Sequence, residues 1–455
     1  MATILPFRGI RYNPGKIEDI SKVVTPPYDV ISDEEREGFY RNHPNNIIRL
    51  ELGKDFPGDN LSVNKYTRAA VYFQEWRREH ILIQDTDPAI YVYAQEFTLE
   101  NKRYTRKGFI SLVRLEDLKT GHIYPHEHTL SKPKEDRLKL MQSCEANFSQ
   151  VFAFYEDEEK KMSEILRKVT GGDSGACASE ETDFTDVYGV RNLLWIIKDK
   201  KIIREISFLM KDKPLFIADG HHRYETALYY RDLHKSNKEM LNRIKQNRGD
   251  DNGDSPLDFV MMMSVAMEDE GLQILPTHRL VRNVGKLDPG KFKKALHEVF
   301  EIENLGKECS LEVIKEKLRG NRESHSFVLY IGENDKEFYL LKVQNKARLY
   351  HALEEKHSPW KTLDTGILHG FIFEKILGIK TEDISKTDCL KYIQSEKEAI
   401  DVVNEGKYQL AFFLNPTRIG QIKDIAIKRN KMPPKATYFY PKLVTGTVLR
   451  HMLEI

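Results

Sequence analysis

Short apolar pairs interrupted by prolines open the chain. Pro6-Phe7-Arg8-Gly9-Ile10 and Val23-Val24-Thr25-Pro26-Pro27-Tyr28-Asp29-Val30-Ile31-Ser32 predict strand ends and tight loops, because proline cannot continue a sheet ladder. Ser32-Asp33-Glu34-Glu35 follows as a helix start, a capping serine with acids in the first turn. Residues 62–82 keep a helical period that puts Ala69, Ala70, Phe73 and Trp76 on one face. The runs 90–97 and 106–113 read as paired strands, with Glu100-Asn101-Lys102 in their turn.

Further along, 171–183 is rich in Gly, Ser, Asp and Glu and predicts a surface loop. Residues 193–197 and 215–218 predict buried strands, and a helix is expected from about His221 to His234. Lys245–Pro256 is the most polar, glycine-rich stretch and predicts an exposed loop before a strand at 259–265. It divides the expected map into an N-terminal region (1–244), the exposed loop (245–256) and a C-terminal α/β region (257–455) that completes the site. Of the two readings of this loop, a boundary or an insertion between the helix and the next strand, the insertion is favoured, since consecutive elements tend to be neighbours. The remainder alternates helix and strand and ends in a proline- and aromatic-rich tail.

The chain has 455 residues, too many for one ordinary core. Lys plus Arg is 71 against 70 for Asp plus Glu, so the basic excess of a dedicated nucleic-acid binder is missing. No apolar run reaches the roughly 18–20 residues of a membrane span, and the N-terminus lacks a secretory core. A cytoplasmic location is therefore expected, with no nucleic-acid and no membrane partner; the oligomeric state stays open. Cys144, Cys177, Cys309 and Cys389 form no CxxC pair, which leaves zinc-ribbon, redox and disulfide-scaffold readings without support. Nothing beside Cys144 argues for an activated nucleophile.

The candidate chemistry lies at Leu215-Phe216-Ile217-Ala218-Asp219-Gly220-His221-His222-Arg223-Tyr224, a strand, a sharp turn and a helix start. A helix's first turn carries backbone N–H groups without internal partners and about half a positive charge. Gly220 lets backbone approach an oxyanion and Arg223 adds a bidentate contact. His221 and His222 can donate to phosphate oxygens or shuttle a proton. Asp219 is a candidate ligand for a magnesium ion (Mg2+) bridging phosphates. Read blandly, Asp-Gly is a common turn and the two histidines are surface residues; the apolar strand before them and Arg223 after them favour the anion site. Adjacent histidines do not make the i, i+4 pair of a zinc helix.

Gly220-His221-His222-Arg223-Tyr224-Glu225 resembles the Gly-Cys-His-Arg-Tyr-Glu phosphate-binding turn of sulfiredoxins and the Gly-Glu-Arg-Arg turn of ParB-type nucleotide-binding domains. Along nearly its full length the chain also resembles a bacterial and archaeal family catalogued as a domain of unknown function. The matching stretches are Pro6–Ile10, Thr25–Ser32, His126–Thr129, Ala218–Ala227 and Thr437–Leu443. The resemblance implies an α/β (α+β) chain: a ParB/sulfiredoxin-like mixed-sheet core with large insertions and a C-terminal α/β region. It further implies a small-molecule kinase that moves a phosphoryl group from pyrophosphate or a nucleotide to the hydroxyl of free L-serine. Asp29 matches the acid that takes the hydroxyl proton in serine kinases of that superfamily, where the residue is commonly Glu; otherwise it is a turn aspartate capping the next helix.

Other candidates surround this scheme. Lys132, Lys134 and Arg137 supply positive charge to a transferring phosphoryl group, and Glu127 or Asp136 can hold the metal, with Glu127 and Tyr28 as candidate substrate contacts. His126 and His128, two apart, share a face only in a strand. Lys435 and Lys442 flank an aromatic, proline-rich stretch that would hold them rigidly on phosphate, with Thr437 beside the substrate; the plain alternative is a packed terminal clasp. His278, Arg279 and His369 rank lower. No P-loop, no GxGxxG after a strand, no GxSxG and no HExxH occurs, so a bound phosphate depends on the Asp219–Arg223 turn. Two alternatives stay open: a nucleotide-binding switch of ParB type, and a phosphate-ester hydrolase.

Overall fold

The computed structural model of the protein describes residues 2–171, 178–248, 254–332, 335–380 and 388–454. The chain divides into two compact units, one of residues 1–125, 129–273 and 441–455, the other of 126–128 and 274–440.

The first unit is built on a mixed sheet of nine strands among the described residues. Its strands are β1 (Ile4–Leu5), β2 (Ile90–Leu99), β3 (Lys102–Arg114), β4 (Ile123–Tyr124), β5 (Val151–Tyr155), β6 (Ala178–Thr185), β7 (Arg191–Ile197), β8 (Leu215–Asp219) and β9 (Phe259–Ala266). They run in the order β4-β8-β5-β9-β3-β2-β7-β6, with β1 beside β3. The β8–β4 and β9–β5 pairs are parallel and the others antiparallel. β5 and β9 are buried at every position, as central strands covered on both faces must be. The expected hairpin is β2–β3: Glu100 and Asn101 both take positive φ (49° and 63°), the left-handed pair that a two-residue hairpin turn requires.

Around this sheet lie α1 (Asp33–Asn42), α2 (Ile48–Glu51), α3 (Lys65–Arg78), α4 (Ser131–Cys144), α5 (Lys161–Thr170), α6 (Lys200–Met210), α7 (His221–His234) and α8 (Lys238–Arg248). The cap expected at Ser32 is present in both directions: Glu35 N–H donates to Ser32 Oγ (3.2 Å) and Ser32 N–H to Glu35 Oε2 (2.8 Å). α3 buries Ala69, Phe73 and Trp76, three of the four expected positions.

Two expectations are corrected. The loop expected at 171–183 is in part the strand β6; residues 172–177 lie outside the described residues. β6 pairs along the whole of β7, and an edge strand with one side on solvent can carry a polar sequence without losing its ladder. The division expected at 245–256 falls instead after Gln273. Helix α8 already runs to Arg248, 249–253 lie outside the described residues, and β9 then pairs with β3 and β5 inside the first sheet. That stretch is therefore flanked on both sides by the first unit.

The C-terminal segment belongs to the first unit as well. Thr25 and Thr445 form a two-way backbone bridge (3.2 and 2.8 Å), Ile10 and Leu449 another (both 2.8 Å), and Arg450 pairs with Asn147 in register. The proline-rich stretch before Tyr28 is thus clasped by residues 445–449.

Among the described residues the second unit has its own six-stranded, wholly antiparallel sheet. Its strands are β10 (His278–Val281), β11 (Phe300–Gly306), β12 (Ser326–Ile331), β13 (Glu337–Val343), β14 (Leu390–Ile393) and β15 (Leu410–Leu414). Their order is β11-β13-β12-β15-β10-β14, with a separate core around Phe300, Phe327, Phe371 and Phe412. Among the described residues no helix is long and apolar enough to cross a membrane.

Candidate functional site

β8 leads into the Asp219–Arg223 turn. Its residues Leu215, Phe216, Ile217 and Ala218 are buried, and the pairing with β5 slips between Ile217 and Asp219. The chain leaves the sheet there. Gly220 has φ +85°, and a Cβ on it would meet the Arg223 guanidinium at 2.9 Å. Both facts demand glycine. α7 starts at His221, with Tyr224 N–H already donating to Gly220 O at 3.0 Å.

Asp219 is the hub of the turn. Its Oδ1 accepts from Gly220 N–H at 2.6 Å, and its Oδ2 accepts from Lys442 Nζ at 2.6 Å. Arg223 Nη2 lies 3.7 Å from Oδ1. Burial alone would raise this carboxyl's pKa, but the Lys442 and Arg223 charges with the two hydrogen bonds outweigh it and hold it well below the usual range. Arg223 Nη1 also donates to Gln150 O. Two cations thus flank one carboxylate at the positive end of a helix, the electrostatics of an anion site.

Lys442 is itself held. Gln95 Nε2 donates to its carbonyl at 3.0 Å, while Arg106 Nη2 donates to Pro441 O at 2.5 Å and to Gln95 Oε1. Arg106 is fully buried and its guanidinium lies 4.9 Å from the ring centre of Phe152, the residue opposite Asp219 in the sheet. Burial lowers its pKa to about 10, so it stays charged at neutral pH.

Tyr28 joins the expected base to this charge cluster. It sits in a short 3-10 turn with exposed Asp29, and its ring centre lies 4.0 Å from the Arg137 guanidinium. Its hydroxyl pKa is pushed up to about 12, first by burial and further by Asp29 and Glu51, against the opposing pull of Arg137 and Arg223.

Arg137, expected on phosphate, is instead wrapped by protein. It is buried, donates to Glu51 O (3.0 Å) and Asp136 Oδ2 (2.6 Å), and lies 3.2 Å from Glu51 Oε1. Lys132 lies exposed in the first turn of α4, while Lys134 pairs with Glu225 at 3.1 Å. His221 is buried and His222 Nε2 accepts from Leu130 N–H at 2.9 Å, so the pair is not a surface decoration of the helix.

Glu127, Lys435 and Thr437 belong to the second unit. There His126 Nε2 and Thr437 Oγ1 are 3.1 Å apart. Lys435 is exposed at φ +53°, and its carbonyl accepts from buried Arg279 at 3.0 Å. His278 and His369 are buried in the same unit. Cys144 is buried too, which pushes its thiol pKa up to about 12; an inert thiol fits that environment.

Asp219, the expected magnesium ligand, has Oδ1 engaged by Gly220 N–H and Oδ2 by Lys442, and among the described residues no three His, Cys, Asp or Glu side chains gather as a metal cluster. Sequence reasoning missed Glu51, Gln95, Arg106 and Gln150. Two of them carried a signal, a charge in an apolar context: Glu51 within Ile47-Ile48-Arg49-Leu50-Glu51-Leu52 and Arg106 entering the strand 106–113.

Residues 4–366 match the model of a family described as Protein of unknown function (DUF1015), a span that stops short of Thr437–Leu443. No curated protein matches the chain. Among similar solved structures is a free serine kinase in complex with AMP, at 13% identity over 73% of this chain and 86% of that one, with a TM-score of 0.32. A conserved hypothetical protein from Pyrococcus furiosus is 14% identical over 74% and 93% (TM-score 0.31). SbnI with a C-terminal truncation, from Staphylococcus aureus, is 9% identical over 74% and 85% (TM-score 0.32). Likeness at this level carries no argument about the present chain, whose chemistry rests on its own residues.

Proposed function

The chain belongs to the DUF1015 family, and from the groups around its Asp219–Arg223 turn we propose that it is a phosphotransferase acting on the hydroxyl of a small molecule, with free L-serine as acceptor and pyrophosphate or a nucleotide as donor. One observation carries the reading. Arg223 and Lys442 converge on Asp219 at the start of α7, and Asp29 follows Tyr28, whose ring lies against Arg137, which lines one cavity with Arg223.

Phosphoryl transfer asks little covalent chemistry of the protein; positioning and charge neutralisation dominate. In this scheme the first turn of α7, with Arg223 and Lys442, receives the donor's phosphate oxygens. Asp29 accepts the acceptor's hydroxyl proton as its oxygen bonds to phosphorus. The donor's bridging P–O bond breaks, and the leaving phosphate or nucleotide carries away the bonding pair. His221 and His222 lie at the same helix start, suited to protonate the leaving oxygen. A positioned carboxylate of this kind contributes ~10²–10⁴-fold to rate.

The test is an incubation of the full chain with L-serine and magnesium salt plus pyrophosphate, ATP or ADP, followed by phosphorus NMR and mass spectrometry. Phosphoserine with at least one donor is expected, with a loss of ~10²-fold or more in Asp29→Asn. No phosphoserine with any donor overturns the reading.

A further inference from the structure

Glu51 is a buried carboxylate that the transfer scheme above does not use. It ends the four-residue helix α2 and is 3% exposed. Its side chain touches two parts of the first unit. Ser149 Oγ donates to Oε1 at 3.0 Å, and Arg137 Nη1 lies 3.2 Å from the same oxygen. Ser149 precedes Gln150, whose carbonyl accepts from Arg223. Arg137 in turn lies against the ring of Tyr28, next in sequence to Asp29. Glu51, Arg137, Arg223 and Ser149 also share the wall of one cavity of about 40 Å³, room for a few water molecules at most.

A buried arginine needs a counter-charge, but an acid placed only for that purpose would have no reason to sit in one cavity with a second arginine. Burial raises the Glu51 pKa, and the Arg137 and Arg223 charges oppose that rise. Resting on the phosphotransferase reading, we propose that Glu51 is a positioning residue for it: through Arg137 it fixes Tyr28 and hence Asp29, and through Ser149-Gln150 and its charge it fixes Arg223, so that base and anion site keep one geometry.

The experiment compares wild type, Glu51→Gln and the double variant Glu51→Gln/Arg137→Met by serine kinetics and urea unfolding. Glu51→Gln keeps the shape, loses the charge and leaves buried Arg137 with Asp136 as its remaining carboxylate, which destabilises; the double variant removes both charges and recovers stability. The expected result is a kcat at least tenfold down in both variants, with donor KM within about threefold of wild type, while the unfolding midpoint recovers only in the double variant. Return of kcat together with stability would mean that Glu51 merely neutralises Arg137, and would overturn the inference. So would an unchanged kcat in Glu51→Gln. A wild-type chain that makes no phosphoserine overturns the phosphotransferase reading and this inference together, whereas an active wild type confines any failure to Glu51.

Discussion

Asp219 shows how far one residue's neighbours decide its chemistry. In sequence it stands before a glycine turn, where a carboxylate can hold a metal, cap a turn or balance cations. In the structure it caps the turn and balances cations, Lys442 among them from 223 residues away. The pairing has a consequence for stability. Asp219's folded pKa lies below its unfolded value of about 3.9, so the ionised carboxylate stabilises the fold above that pH. The contribution is lost as pH falls from about 4 toward the depressed folded value. Lys442→Met removes the nearer cation from a pair whose side chains are 15% and 18% exposed. Breaking a buried pair costs about 3–5 kcal/mol, and less here because Arg223 remains. Urea unfolding at pH 7 should therefore show a clear gap between wild type and variant, and the gap should shrink near pH 3. An equal gap at both values would mean that Asp219 is not the partner that matters.

At the scale of elements, much of the site was legible beforehand. The β8 strand and α7 follow from an apolar run, a glycine and a 3.6-residue period, and α7 occupies His221–His234 as expected. The capping box at Ser32 was equally plain. What stayed hidden were partners supplied by distant chain. Nothing local to Arg137 says that Glu51 will close on it, and nothing local to Pro441 says that Arg106 and Gln95 will hold its loop. β6 escaped notice for a different reason: an edge strand takes its order from its neighbour's backbone, so a polar sequence hides it. The β8–α7 turn itself yields a prediction. Gly220→Ala must place a methyl at positive φ, costing about 1–2 kcal/mol, and must push the Arg223 guanidinium away from its 2.9 Å contact. Its melting temperature should fall, and pyrophosphate affinity measured by calorimetry should fall with it; a variant that melts lower but binds pyrophosphate as wild type does would detach Arg223 from the anion site.

For the whole molecule, the decisive feature is that the chain returns to its first unit after completing the second. Residues 441–455 bring Lys442 to Asp219, bridge Thr445 to Thr25 and place Arg450 under the β9 segment, where it donates to Phe259 O at 2.6 Å and to Pro256 O. Arg450 is buried, which lowers its pKa to about 9, and its bonds satisfy carbonyls that would otherwise be stranded. The second unit's sheet draws no strand from that segment: β10–β15 all lie between His278 and Leu414. Its core around Phe300, Phe327, Phe371 and Phe412 is likewise its own. Two separate cores need not melt together. Ending the chain at Tyr440 should consequently abolish slow amide exchange in β2, β3 and β9 while leaving that of β12, β13 and β15 in place, read by hydrogen-exchange mass spectrometry. Retained protection in β2 and β3 would show that the first sheet stands without its C-terminal clasp, and the placement of Asp29 could then not be attributed to the Thr25–Thr445 bridge.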